Sequence, residues 1–339
     1  MSDCFWRPIS VDCVDPASFP EVALYLKTGG KYVLYKDEQR RFCEADQRRL
    51  ENSRIEFLYV RSGDLKEVNS YLEQNLSRIL DRNDVTGAAK GLILYQTSVN
   101  YVIDIFESPE QAACLDRCRS LIRHMMSYVA DEEHALESLR TIAAHNDYIF
   151  SHSVQVAALN LLIHEKIFRL TQEEMIEVGI GSLLHDFGMT FIADEILEKP
   201  GALSEAEYLS VKEHAHKGYE FLKNLGLGEV ALHIVRYHHE RFDGQGYPSG
   251  RQQKDIPRSA QLAAICDTYS ALTSERGYRP AYPQAEALRM MREEASNGLF
   301  NYEYFRQFEG VMTTTRGVSD QERTHLASTA PGQGGAHDA

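Results

Sequence analysis

A small α+β unit leading into a mainly helical chain is the architecture this sequence predicts, and three observations carry it. Strand-type runs rich in aromatic and β-branched residues fall early, between residues 31 and 60. From residue 148 to about 310 the apolar spacing, capping signals and loop punctuation are those of helices. The chain has 339 residues, beyond the roughly 250–300 at which a single core stops growing, so more than one unit is expected. The divisions drawn are 1–80, a small α+β unit given a regulatory role by position alone; 81–147, a helical connector; 148–310, a helical domain; and 311–339, a flexible tail.

In chain order, Lys31–Tyr35 (KYVLY) and Ile55–Val60 (IEFLYV) read as strands, and EADQRRLENS between them as a helix. Leu65, Val68, Leu72, Leu76 and Ile79 recur every three to four residues and predict a helix over 65–80. Ser108-Pro109-Glu110 has the form of a helix start. Ser204 with Glu207 is a capping box opening a helix expected to reach Asn224, with Gly226 as its left-handed stop. DGQGYPSG, Asp243 to Gly250, is a loop, and SAQLAAICDTYSALTS is a further helix. Beyond about Gly310 the apolar pattern fades.

Composition excludes several classes. With 36 Lys+Arg against 50 Asp+Glu the formal charge is −14, which argues against binding a nucleic-acid polymer through its backbone. Forty-three per cent hydrophobic residues are those of an ordinary folded protein. No run approaches the ~20 apolar residues of a membrane span, and the start lacks a signal-peptide layout, so a cytoplasmic protein is expected. Cys4, Cys13, Cys43, Cys114, Cys118 and Cys266 form no CxxC pair, which suits a reducing compartment.

The chemistry is in the histidines, nine of which lie between His145 and His239. His185-Asp186 ends an apolar helical run, where an unwinding terminus lets adjacent side chains bend toward one point. His152 lies upstream, His214 on the next helix, His238-His239 before an acidic loop, and Asp267 among Ala263, Ala264, Ile265 and Leu272. A carboxylate in so apolar a helix is costly unless a cation or donors meet it. Five imidazoles and two carboxylates without a thiolate suit divalent first-row metals. In the loop, Gly244 and Gly246 allow close backbone approach, and Tyr247 offers a ring and a hydroxyl. His164, His216 and His233 fall off the pattern and read as surface or supporting residues.

The runs SHSVQVA, LLHDFG, ILEKPGALSEAEY, KEHAHKGYEFL, HHERFDGQGYP and CDTYSALTSERGYR, spread in order over about residues 145–310, resemble the HD-GYP family of HD metal-dependent phosphohydrolases, which degrade cyclic di-GMP. The resemblance implies an all-helical HD-type catalytic domain. It implies that His152, His185, Asp186 and Asp267 hold one divalent ion and that Asp186 bridges to a second held by His214, His238 and His239. Iron or manganese is the usual occupant, with nickel, cobalt or zinc as alternatives. Tyr148 stands where some members place a Glu for a third ion, so two are expected. A water between two such cations ionises near neutral pH and attacks phosphorus in line. Lys199 (a catalytic or substrate contact), Arg276 and Arg279 are the candidate phosphate-binding cations, with Tyr247 as a further substrate contact.

Two positions depart from the family. Met189 replaces a lysine after HDFG, and Ser270 replaces a second aspartate three residues after Asp267. Three readings stay open: a phosphodiesterase opening cyclic di-GMP to pGpG and onward to GMP, a weak or inactive module that binds the nucleotide or docks a diguanylate cyclase (GGDEF) partner through the GYP loop, and a hydrolase of another cyclic dinucleotide or nucleotide. The connector is compatible with a homodimer seam or with packing on its own domain.

Overall fold

A computed structural model describes residues 6–108, 115–131, 148–197, 199–275 and 279–314. The helix start expected at Ser108-Pro109-Glu110, part of the connector, Arg276, Cys4, Cys114 and most of the expected tail lie outside these residues.

Four antiparallel strands form the N-terminal sheet: β1 (Trp6–Ser10), β2 (Leu24–Thr28), β3 (Lys31–Lys36) and β4 (Phe57–Arg61), in the order β1-β4-β2-β3. The two expected strands are β3 and β4. β2 was missed, although its signal is local: Gly29 and Gly30 both take positive φ, 57° and 76°, as a two-residue hairpin turn requires. β1 was missed because Pro8 breaks the strand pattern, and a proline is tolerated there because β1 is an edge strand.

Helix α1 (Glu44–Asn52) lies between β3 and β4 and opens on a reciprocal cap between Cys43 and Asp46. The Asp46 carboxylate is buried and accepts from Arg40 Nη1 at 2.9 and 3.0 Å, from the Cys43 backbone N–H at 3.1 Å and from the Tyr35 hydroxyl at 3.2 Å. Burial pushes its pKa up, but the Arg40 and Cys43 donors outweigh burial and hold it below the ordinary 3.8. A depressed carboxylate contributes stability that is present above the unfolded pKa and is lost as pH falls through the folded one. Asp46→Asn should therefore destabilise the protein by about 1–3 kcal/mol at pH 7, and in urea titrations its deficit should shrink below pH 3.8. A deficit constant down to pH 2 would rule out the charge as its source.

The sheet's inward residues Ile9, Leu24, Leu58 and Val60 pack on α2 (Leu65–Leu80) through Val68, Leu72, Leu76 and Ile79. The same apolar cluster continues through α3 (Gly87–Glu107) and α4 (Leu115–Asp131) into α5 (Tyr148–Ile167) and α6 (Gln172–Leu183). Sheet and helices thus share one core. A second cluster joins the far side of α5 to α11 (Arg258–Thr273), α12 (Gln284–Ser296) and α13 (Tyr302–Thr314). α13 reaches Thr314, past the point where the tail was expected to begin.

Between α6 and α11 run a 3₁₀ turn at Phe187–Phe191, α7 (Asp194–Leu197), α8 (Glu205–Lys212), α9 (His214–Leu222) and α10 (Glu229–Tyr237). The Ser204–Glu207 capping box forms as expected and the chain reverses at Gly226, φ 80°. The single helix expected from 204 to 224 does not form, because it breaks at Glu213. The 3₁₀ turn after Asp186 seats against α9 just beyond that break, with Gly188 backbone against His214 and Gly218. His164, expected on the surface or in support, is a core residue: all of residues 151–164 on α5 are buried, and burial lowers its pKa to about 4. Among the described residues no helix is long and apolar enough to cross a membrane.

Candidate metal centre

His185 and Asp186 follow the end of α6, where Leu184 leaves helical geometry and the chain enters the 3₁₀ turn. This unwinding lets neighbours in sequence converge: His185 Nε2 lies 3.2 Å from Asp186 Oδ2. His152 comes from α5, His214 from the first residue of α9, His238 and His239 from the end of α10, and Asp267 from the middle of α11. All seven expected ligands meet. Asp186, His214, His238 and His239 can offer ligand atoms within 4.8 Å of one another, and so can His152, His185 and Asp267.

The carboxylates link the two groups. Asp186 Oδ1 is 3.3 Å from His214 Nε2 and 3.8 Å from His238 Nε2, while its other oxygen faces His185. Asp267 Oδ1 is 2.9 Å from His152 Nε2 and 3.9 Å from His185 Nε2, and Oδ2 is 4.0 Å from His239 Nδ1. His152, His185, His214 and His238 are buried, whereas the His239 side chain is 30 % exposed and that of Asp186 22 %. The centre therefore opens toward His239 and Asp186.

Three rings are oriented by their own backbone. Nδ1 donates to Ser182 O from His185 (2.8 Å), to Val211 O from His214 (2.7 Å), and to Ile234 O and Val235 O from His238 (3.1 and 3.0 Å). A ring whose Nδ1 carries the proton presents a bare lone pair at Nε2. The consequence is a centre with too many acceptors. His214 Nε2 faces His238 Nε2 at 3.2 Å, and buried His185 Nε2 makes no hydrogen bond among the described residues. Lone pairs turned on one another, with two carboxylates between, fit divalent cations and little else.

Burial and neighbouring charges shift five of these groups. Burial raises the Asp186 and Asp267 pKa values, yet the surrounding imidazoles outweigh it and hold both far below the usual carboxylate range. Burial lowers His185, but Asp186 and Asp267 reverse this and lift it to about 9, so an ion bound there would have to displace a proton from its Nε2. Burial, with neighbouring rings, takes His238 well below its ordinary value, and burial takes His239 to about 4.

At the open side the Tyr247 ring lies 4.7 Å from that of His239, and burial, then the Asp186 charge, keeps its hydroxyl protonated. The loop is fixed by Glu240, a buried carboxylate accepting the Ser249 and Arg251 N–H groups at 2.7 and 3.0 Å. Gly246 lies so close to Glu240 that a Cβ would fall 2.3 Å from Arg241 N. Glu240→Ala should free the loop: hydrogen exchange at Ser249 and Arg251 should quicken by about tenfold or more, as each lost bond to a charge is worth ~1.5–3 kcal/mol. Unchanged protection would show that the loop holds without it.

The candidate cations fare differently. Lys199 is paired with Glu207 at 2.6 and 2.9 Å, beside the α8 cap. The Arg279 guanidinium donates to the Ala271, Leu272 and Pro280 carbonyls, so its donors are taken up largely by the end of α11. Arg276 lies outside the described residues. Lys212, which the sequence reading passed over, sits with its ammonium 5.2 Å from the Tyr247 ring and 4.6 Å from that of Tyr208. The signal for it was the Tyr208–Lys212 spacing of four on one helix.

Comparison with known proteins adds the family. Residues 137–302 match the HD domain family model. A cyclic di-GMP phosphodiesterase of Pseudomonas aeruginosa is 33 % identical over 210 residues, covering 61 % of this chain and 50 % of that protein. A 3′3′-cGAMP-specific phosphodiesterase of Vibrio cholerae is 33 % identical over 171 residues, covering 50 % of this chain and 39 % of that protein. The chain thus spans about half the length, or less, of these relatives. An HDG"Y"P protein of Bdellovibrio bacteriovorus shares the fold, with a TM-score of 0.65 over 91 % of this chain and 99 % of that one at 19 % identity. With the motif order, the fold and the converging ligands all in place, residues 137–302 of this chain match the HD domain family and carry the sequence runs of its HD-GYP branch.

Proposed function

We propose that this chain is a metal-dependent phosphodiesterase that opens cyclic di-GMP to pGpG and onward to GMP. One observation carries the reading: five imidazoles and two carboxylates converge, three of the rings with their Nε2 lone pairs turned inward, at a centre open on one side. His152, His185 and Asp267 would hold one divalent ion and His214, His238 and His239 another, with Asp186 between them. Iron or manganese is the expected occupant. Bound there, such ions supply an acidified water and neutralise charge on phosphoryl oxygens.

The chain's own residues do the rest. Asp186 and His239, at the open face, meet the phosphodiester first. Tyr247, protonated and held beside His239, offers a hydroxyl and a ring to the nucleotide, and Lys212 offers a charge at the same edge. No nucleophilic side chain is needed. A −14 protein can take this anion because local groups, not net charge, set the potential in a cleft.

A relative specific for 3′3′-cGAMP at the same identity as the cyclic di-GMP relative supports a second reading, in which another cyclic dinucleotide is the substrate. The exposed tip of the GYP loop, Gln245 and Pro248 to Gly250, is the surface on which a diguanylate cyclase domain would dock. Protein loaded with iron, manganese or nickel and incubated with cyclic di-GMP and 3′3′-cGAMP in parallel tests the assignment by chromatography. Linear pGpG from the first is the expected product; both dinucleotides intact under all three metals would refute hydrolysis.

A further inference from the structure

We propose that Ser270 and Gln155 are positioning residues for the ion at His152, His185 and Asp267, forming an uncharged relay that keeps the His152 proton on Nδ1 and its Nε2 lone pair turned inward. The inference deepens the metal reading above and does not depend on the substrate.

Three of the buried ligand rings are oriented by carbonyls three or four residues upstream on their own chain. His152 differs. Its Nδ1 meets the side chain of Ser270, on α11, at 3.0 Å. Ser270 is fully buried, and its Oγ also lies 2.9 Å from Gln155 Oε1, an oxygen that can only accept. The serine hydrogen therefore goes to the amide. Ser274 Oγ donates to the same oxygen at 3.1 Å, so in this orientation of the amide its oxygen takes both hydroxyl hydrogens while its Nε2 is buried and makes no hydrogen bond among the described residues. A hydroxyl that has spent its hydrogen can only accept at its remaining face, so the proton between Ser270 and His152 belongs to Nδ1.

The relay also sets two ligands at once. Ser270 stands one turn beyond Asp267 on α11, and Gln155 stands three residues beyond His152 on α5. The Ser270–Gln155 bond thus ties together the two helices that carry His152 and Asp267, whose Nε2 and Oδ1 lie at hydrogen-bond distance, 2.9 Å, at the place where a bound ion would take that nitrogen's lone pair. Because every member is neutral, the relay orients the ring without adding a third negative charge beside Asp186 and Asp267.

Zinc binding to the full chain tests this by competition with a chromogenic chelator. Ser270→Ala should weaken one zinc site by about 10–100-fold and leave the other unchanged, the usual cost of removing a ligand's outer partner. Ser270→Thr, which keeps the hydroxyl, should restore it, and Gln155→Met should weaken the same site by a smaller factor. In zinc-loaded wild type, nitrogen NMR of the imidazoles should show His152 protonated at Nδ1. Equal zinc affinity in all four proteins, or a zinc-loaded His152 without that proton, would overturn the relay. Should Ser270→Ala fail to fold, Gln155→Met decides alone, since it leaves the serine in place. Failure of the phosphodiesterase reading would appear only in turnover and leave these zinc constants as they are.

Discussion

Asp186→Asn should lower the bound metal by at least one ion per chain and reduce phosphodiester turnover by about a thousandfold or more. The substitution keeps the size of the side chain and removes only its charge. In the native centre one Asp186 oxygen faces His185 at 3.2 Å and the other faces His214 at 3.3 Å, so this carboxylate reaches across to the other ligand group more closely than Asp267, whose approach to His239 is 4.0 Å. An amide offers one weaker acceptor and turns an N–H toward rings that already present lone pairs. Metal ions supply several kcal/mol of transition-state stabilisation in phosphoryl transfer, and each 1.36 kcal/mol is tenfold in rate. Metal content by atomic emission, read beside turnover, checks both halves. His216→Ala is the control, because His216 is exposed two residues after a ligand and should leave both readings at the wild-type level. Asp186→Asn protein that retains full metal and full turnover would remove the carboxylate from the bridging position.

How much of this was legible beforehand differed by the kind of information required. The ligand types were legible because burying a carboxylate such as Asp267 in an apolar helix is expensive enough to demand a partner. The resemblance to HD-GYP sequences then supplied the set. Helices such as α2 and the cap of α8 were legible from periodicity and the Ser204–Glu207 pair, which are local signals. Tertiary context decided the rest. The break at Glu213 follows from the Gly188 turn pressing on α9, and nothing within residues 204–224 announces it. His164 looked peripheral because a lone histidine on an apolar helix can face either way; here both faces of α5 are covered. Arg279 read as a free cation because sequence does not show that the chain after α11 folds back and offers its end carbonyls.

The same pressure on α9 gives the second large effect. Gly188→Ala should lower the melting temperature by about 4 °C and weaken metal binding, although residue 188 is not itself a ligand. A Cβ there would stand 1.9 Å from His214 O and 2.7 Å from Gly218 N. Both are backbone atoms, so no flexible side chain can yield and either the turn or α9 must move by about an ångström or more. Overpacking of this kind costs about 3 kcal/mol at the upper end of its usual range, and with an unfolding entropy of about 2.1 cal/mol/K per residue a chain of 339 residues loses about 1.4 °C per kcal/mol. The displacement falls between Asp186, two residues upstream, and His214, whose approach at 3.3 Å depends on that contact. The loss of affinity should therefore fall on the Asp186–His214–His238–His239 group, with His152, His185 and Asp267 less affected. Gly63→Ala, where a Cβ would meet nothing within 4 Å, should behave as wild type in both measurements. Gly188→Ala protein that melts at the wild-type temperature and binds metal with wild-type affinity would show that the contact between turn and helix does not set the ligand geometry.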